Sequence, residues 1–358
     1  MPASRRILMC SFVLSLPMLA GQRPIQPIPV QPTPGAESTI RLDVVVNDKS
    51  GKPVSGLEQK DFTLLDNKLP EKILSFEAVP GAAAESEPVE VILVVDSVNI
   101  PFMRVAQARD QIKKFLQQDG GKLPRPVSIA FLSDSGLKAE GTASRDGNAL
   151  VAYLDQNASA LRTITKSQGF YGADERMQLS VNAFEQLTQY AAQRPGKKII
   201  ICISPGWPLL TGPRDDLTQK NQNQIFSTIV AMSTNLREAG VTLYMVDPLG
   251  PGESQMREFY YQSFLKGVRS PRQVVIGDLS LQVLASQSGG RVLTASNDIA
   301  DGIASCVRDA NAYYVLSFAP PPADGPNEYH AIEVKMDQPH LKAQTRAGYY
   351  DQPAQKPL

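Results

Sequence analysis

Four short runs of continuous apolar, largely β-branched residues constrain this chain more than any other feature: VEVILVVD at 89–96, VSIAFLS at 127–133, KKIIICIS at 197–204 and VTLYMVD at 241–247. A strand with one wet face alternates apolar and polar residues, whereas a strand covered on both faces has no reason to alternate. Between the runs lie segments with helical patterning. Phe102, Val105, Ala108, Ile112 and Phe115 recur at close to helical spacing, which predicts a helix over 102–118. Further helices are expected over 146–156, 174–192, 217–238, 278–287 and 297–309, with a short strand at 291–294 and a hairpin partner at 136–141. Strand and helix in this alternation predict an α/β domain over 88–310. Its expected fold is a doubly wound, mostly parallel sheet flanked by helices.

The flanks read differently. TIRLDVVVNDKSGKPVSGL alternates apolar and polar residues around a KSGKP turn, and DFTLLDNKLPEKILSFEAV adds short strands on either side of Asp66-Asn67. At the other end AYYVLSFAP, EYHAIEVKM and LKAQTRAGY read as three more strands. Each set is too small for a core of its own, so residues 38–80 and 311–350 are expected to pair into one small antiparallel β-sandwich. The α/β domain would then be inserted into that sandwich, with 351–358 as a tail and GAAAESEP at 81–88 as a linker.

The first residues, MPASRRILMCSFVLSLPMLAGQ, place Arg5 and Arg6 before an apolar run and end on small residues, the layout of a signal peptide over 1–21. Residues 22–37 carry five prolines and read as an extended linker. A secreted or periplasmic location follows as an expectation, with no stable membrane insertion after cleavage, since the apolar run is too short to span a bilayer comfortably. Lys plus Arg and Asp plus Glu both number 36. A nucleic-acid binder shows a basic excess, so no nucleic acid is expected as a partner. Outside the signal only Cys202 and Cys306 remain, in a strand and a helix, and read as separate buried thiols; there is no Cys/His cluster for zinc. The two histidines, His330 and His340, are expected on the sandwich surface, away from any G-x-S-x-G nucleophile.

The order of several motifs resembles the von Willebrand factor A (VWFA)-related proteins of the acidobacterial type. It rests on Gly51-Lys52-Pro53-Val54-Ser55-Gly56-Leu57 with Asp61-Phe62, then VILVVDS, IIICISPG, Leu284-Ala285 with Gly289-Gly290, and Arg346 to Tyr349. The resemblance spans about residues 38–350. It implies a metal-ion-dependent adhesion site at the top of the sheet. There, an Asp and two hydroxyls of a D-x-S-x-S segment, a Thr and a second Asp surround a magnesium or manganese ion and leave one position for a partner's acidic group. This chain departs from that pattern. From Asp96 the hydroxyl positions hold Val98 and Ile100, GFYGADERM lacks the expected Thr, and Pro205-Gly206 stands where an Asp-Gly pair is common. The reading is therefore a degenerate site with no cofactor; Asp96 is the weak candidate ligand, and Ser97 or Asn99 could contribute only through a distorted loop.

Ligand-binding candidates are Asp96, Ser97, Asn99, Asp134, Asp174 and Trp207. Asp96, Asp134 and Asp174 could form an acidic rim at the carboxyl ends of the strands, although an Asp at such a junction also serves as a cap. The sole tryptophan, Trp207, follows a core strand and could touch a partner or cover the sheet end. REFYYQSFLKGVRSP at 257–271 reads as a packed insertion helix. The chain is accordingly expected to be a non-catalytic, adhesion-type binding module for a protein or envelope component. The alternatives are a secreted hydrolase using acidic residues of the same cleft, or a structural spacer in an envelope assembly.

Overall fold

Each of the four apolar runs ends in a strand of one central sheet. The computed structural model describes residues 39–80, 88–139, 141–157, 169–208, 217–250, 261–294 and 297–351. In chain order the strands are β1 (Ile40–Asn47), β2 (Phe62–Asp66), β3 (Leu69–Glu71) and β4 (Ser75–Pro80), followed by β5 (Val89–Asp96), helix α1 (Phe102–Leu116), β6 (Lys122–Ser133), β7 (Gly136–Lys138) and β8 (Ser144–Asp146). Helices α2 (Gly147–Gln156) and α3 (Gly169–Ala192) lead to β9 (Lys197–Ile203), α4 (Gln219–Glu238), β10 (Val241–Val246), α5 (Leu281–Gln287), β11 (Val292–Leu293) and α6 (Ile299–Arg308). Strands β12 (Ala312–Phe318), β13 (Glu328–Met336), β14 (Lys342–Gln344) and β15 (Gly348–Asp351) complete the order.

The central sheet runs β11-β10-β9-β5-β6-β7, with β8 also on β6. Strands β11, β10, β9, β5 and β6 pair in parallel, and β7 and β8 are antiparallel additions to β6. Alternate side chains of the same strand enter two different cores, which explains the unbroken apolar runs. Val91, Leu93 and Val95 of β5 join Ile199, Ile201 and Ile203 of β9 under α1, α2 and α6. Ile92, Val94, Ile200 and Cys202 face the other way, under α3, α4 and α5. Each such fully buried side chain contributes ~1.5–3 kcal/mol of hydrophobic burial, so a polar residue on either face would be costly. Helix α1 presents Val105, Ala108, Ile112 and Phe115 to the first core, at the expected spacing. The two thiols, Cys202 and Cys306, are buried and free, one in each core, with the sheet between them.

Two four-stranded antiparallel sheets, ordered β14-β1-β12-β4 and β15-β13-β2-β3, lie beside this layer. They join the two ends of the described chain. Ile40 pairs with Phe318 and Val44 with Tyr314, while Phe62 pairs with Met336. Leu42, Val44, Val46, Phe62, Leu64, Tyr314, Leu316, Phe318 and Tyr349 form the core between them. Val45, Val79, Tyr313 and Val315 point instead into the first α/β core, so the sheet holding β1 and β12 is covered on both faces.

Two local expectations need correction. LKAQTRAGY is not one strand but two short ones, β14 and β15, in different sheets. Between them the chain turns to bond the end of α5: Gln344 Nε2 donates to Gly289 O at 2.7 Å and Ala347 N to Gln287 O at 3.0 Å. Gly289 has φ +92°, and a Cβ there would lie 2.8 Å from Arg346 N, so the paired glycines and the R-x-GY motif are two sides of one backbone contact. The described part of the aromatic and basic segment, from residue 261 on, packs after its first two residues as irregular turns rather than as a helix. Tyr261 and Val268 are buried there, and Tyr350 Oη donates to Val268 O at 3.0 Å.

Candidate functional site

From β5 the chain passes to β6 on one side, then returns through α2 and α3 to β9 on the other. The winding therefore reverses between β5 and β9, and the carboxyl ends of such a pair splay open into the crevice where α/β folds place ligands. Asp96 ends β5, and Ser204-Pro205-Gly206-Trp207 follows β9.

Asp96 lines a small, largely apolar cavity there with Ser180, Ser204 and Trp207. Its side chain is buried and each oxygen receives two donors. Val98 N and Asn99 N donate to Oδ1 at 2.9 and 3.0 Å, while Asn99 Nδ2 and Ser204 Oγ donate to Oδ2 at 2.8 and 2.6 Å. Burial pushes its carboxyl above the usual carboxylate range, and these four bonds oppose that rise. Asn99 Nδ2 also donates to Ser180 Oγ on α3 at 2.9 Å. Ser97 is turned away, its Oγ donating to Leu132 O at 2.8 Å. Val98 and Ile100 are 3% and 2% exposed and enter opposite cores, pinning the loop to both sides of the sheet.

This donor set does not fit a divalent cation. A hard cation needs six or more oxygens with lone pairs directed at it. The two hydroxyl positions are apolar and committed to packing, Ser97 Oγ is spent on a carbonyl, and both carboxylate oxygens of Asp96 face N–H and O–H protons. Among the described residues no group of three or more His, Cys, Asp or Glu side chains converges.

Beside the Asp96 network lies a cleft of about 270 Å³ lined by Asn99, Arg176, Pro205, Gly206, Trp207, Pro208 and Gln282. Four elements build it: the loop after β5, α3, the loop after β9, and α5. Gly206 has φ +90°, and a Cβ there would fall 2.3 Å from Gln282 Nε2, so only glycine lets α5 close on this loop. Gln282 Nε2 donates to Pro205 O at 3.2 Å, and Gly206 N to Ser204 Oγ at 3.1 Å. Under the cleft, Trp207 is 5% exposed and meets Phe184 edge-on at 5.7 Å. It covers the sheet end and lines the cleft at once.

The other candidates lie apart. Asp134 is exposed in the turn between β6 and β7, and Asp174 is half-buried on α3, six residues before Ser180. Neither bonds to Asp96 or lines the cleft, so the acidic rim of Asp96, Asp134 and Asp174 is not assembled. Asp247 caps its own turn, with Oδ1 accepting from Leu249 N at 2.8 Å. His340 is exposed, but His330, expected at the surface, is buried: its Nδ1 lies 3.0 Å from both oxygens of Asp66, and Tyr349 Oη donates to Asp66 at 2.7 Å. Sequence reading did not single out Ser180, Ser204, Arg176 or Gln282 as site residues. Ser180 carries a signal, since it interrupts the apolar stripe Met177, Phe184, Leu187 of α3 with a hydroxyl.

No protein-family profile matches the chain, and no curated protein matches it. Among solved structures it is similar to the PilB minor pilin from Streptococcus sanguinis, with TM-score 0.36 and 10% identity over 64% of this chain and 63% of the pilin. It is similar to the SpRpn10 VWA domain, with TM-score 0.30 and 12% identity over 60% of this chain and 95% of that one. It is also similar to the manganese-loaded Plasmodium vivax TRAP protein, with TM-score 0.35 and 10% identity over 80% and 99%. The fold assignment rests on the chain's own sheet order, a mostly parallel sheet flanked by helices. No helix among the described residues is long and apolar enough to cross a membrane.

Proposed function

We propose that this protein is a non-catalytic binding module of the von Willebrand factor A type, secreted or periplasmic. It recognises a protein or another envelope macromolecule through the loops at the carboxyl end of the parallel sheet, without a divalent cation. The observation that carries the reading is the cleft at the winding reversal, walled by loops and helices from four separate parts of the chain beside a carboxylate already saturated by internal donors. Binding is favoured over hydrolysis because no carboxylate is among the residues that line this cleft, whereas glycoside hydrolysis needs two. The expected signal and Pro-rich linker fall on residues outside those the structure describes, and the location is carried by their sequence pattern alone.

The test is retention of a partner from envelope extract by the full-length protein. A Pro208→Arg variant, with a bulky charge at the cleft rim, is expected to lose the retained species. A Leu69→Arg variant on the sandwich edge, 67% exposed and remote in the fold, is expected to keep it. Equal retention by both variants would remove the cleft face from the reading, and no retention by wild type would favour a spacer.

A further inference from the structure

A larger cavity, of about 640 Å³, lies apart from the cleft beside Asp96. It is bordered by residues between 263 and 278, which carry the chain from β10 towards α5, and by Tyr329 and Ala331 of β13. Two glycines shape its walls. A Cβ on Gly267 would fall 1.9 Å from the Tyr329 ring, and one on Gly277 would fall 2.6 Å from the Phe264 ring, so the segment lies flush against both aromatics. Asp278 borders the cavity although it is only 5% exposed. Its Oδ2 accepts from Val275 N at 2.9 Å; its Oδ1 has no hydrogen bond, and no cation pairs with the group, among the described residues. Burial without a counter-charge pushes this carboxyl up to about 6. Lys266 and Arg269 border the same cavity from exposed positions, and neither forms an ion pair with a described residue. Buried polar groups are normally partnered, so a buried carboxylate left open to a cavity calls for an explanation, and a ligand supplies one.

We propose that this cavity binds a small zwitterion with an apolar body, an amino acid or short peptide whose ammonium group pairs with Asp278 and whose carboxylate meets Lys266 and Arg269. An ammonium brings donors to the open Oδ1, and the planar fork of Arg269 suits a carboxylate. Phe264, Val275 and Tyr329 supply apolar contact for the side chains between the two charges. Simpler ligands fit less well. An anion alone would be repelled by Asp278, and a cation alone by the two basic residues. A neutral apolar molecule would take water from Oδ1 and return no donor. A metal ion needs more oxygens than one aspartate offers, and no group of three or more His, Cys, Asp or Glu side chains converges among the described residues. The volume falls within the ~300–1,000 Å³ of small-ligand pockets. This site shares no lining residue with the cleft beside Asp96, so it stands whether or not that cleft holds a partner.

A ligand that binds the native state raises its melting temperature according to concentration and affinity. The full-length protein is melted against increasing Leu-Phe dipeptide, its N-acetyl form, its C-terminal amide, and free phenylalanine. The expected result is a rise with Leu-Phe that the N-acetyl and amide forms match only at tenfold or higher concentration. Asp278→Asn should remove the discrimination against the N-acetyl form, and Lys266→Gln with Arg269→Gln the discrimination against the amide. Asparagine keeps an acceptor for Val275 N and the two basic positions are exposed, so both variants should fold, which far-UV circular dichroism checks. A rise undiminished by acetylation, or a discrimination unchanged in Asp278→Asn, overturns the ammonium assignment. The same results for amidation and the double variant overturn the carboxylate assignment. A rise with phenylalanine equal to that with Leu-Phe supports the site with a single amino acid as occupant, and a rise with Leu-Phe alone supports it with a peptide. No rise with either overturns the proposal.

Discussion

Ser204 Oγ donates a 2.6 Å hydrogen bond to Asp96 Oδ2, and this bond ties together the ends of β5 and β9, the two strands between which the winding of the sheet reverses. A crevice that could open there is closed from within by a serine where the resemblance expects the surroundings of a cation. Replacing Ser204 with Ala leaves a buried carboxylate with three donors instead of four. Hydrogen bonds to charged groups contribute about 1.5–3 kcal/mol, and the loss should be of that order. Urea denaturation at pH 7 checks it: the midpoint should fall with the slope unchanged. A loss below ~0.5 kcal/mol, the scale of an ordinary surface substitution, would mean that Asp96 does not depend on this bond.

Restoring the hydroxyl pattern should not restore a cation site. In the double variant Val98→Ser, Ile100→Ser, two side chains leave opposite cores and two hydroxyls enter them, while Asp96 keeps its internal donors. Truncation of buried aliphatic residues costs about 2–5 kcal/mol each when the cavity cannot collapse, and the added polar groups increase it. The variant should melt well below wild type, and 10-fold changes in magnesium around ~1 mM should leave its melting temperature fixed, since only a bound ligand shifts it. A magnesium-dependent rise would mean that Asp96 gives up its internal donors to a cation once hydroxyls stand beside it.

The strands of the parallel sheet were legible because burial on both faces suppresses alternation, and VILVVD and KKIIICI show it directly. Asp96 was legible as a strand-end carboxylate, but its partners were not. Ser180, Ser204 and Arg176 lie on α3 and the loop after β9, Gln282 lies on α5, and only the return of the chain across β5 brings them together. His330 was misplaced for the same reason: its partner Asp66 is 264 residues away, and nothing local marks the pair as buried. The split of LKAQTRAGY into β14 and β15 depends on contacts with the end of α5, so the alternating pattern alone reads as one strand.

Gly206→Ala should damage the cleft and the fold together. The residue sits at φ +90°, outside the conformations an alanine adopts readily, and the new methyl would collide with the Gln282 amide. Left-handed strain of this kind costs ~1–3 kcal/mol, to which the displacement of Gln282 from Pro205 adds. Thermal melting should show the loss of stability, and Trp207 emission should shift, because its neighbour in the loop has moved. Unaltered melting and emission would mean that the loop after β9 is not held against α5.

Asp278→Asn should stabilise the protein at neutral pH. Asp278 is 5% exposed, and burial pushes its carboxyl up to about 6 against an ordinary 3.8, with one opposing hydrogen bond from Val275 N at 2.9 Å. Because the native state holds the proton more tightly than the unfolded chain, this group favours folding fully below about pH 4. That contribution is lost as the pH rises through about 6, above which the buried charge is a constant penalty. That rise corresponds to ~2–3 kcal/mol. Asparagine keeps an oxygen for Val275 N and carries no charge. The difference in unfolding free energy between variant and wild type should therefore be near zero at pH 4, grow between about pH 4 and 6, and level off above that. Asp96 and Asp309 are raised in the same direction but are common to both proteins and cancel in the difference. Urea denaturation at four or five pH values checks the curve, and a pH-independent difference would show that Asp278 titrates alike in the folded and unfolded chain.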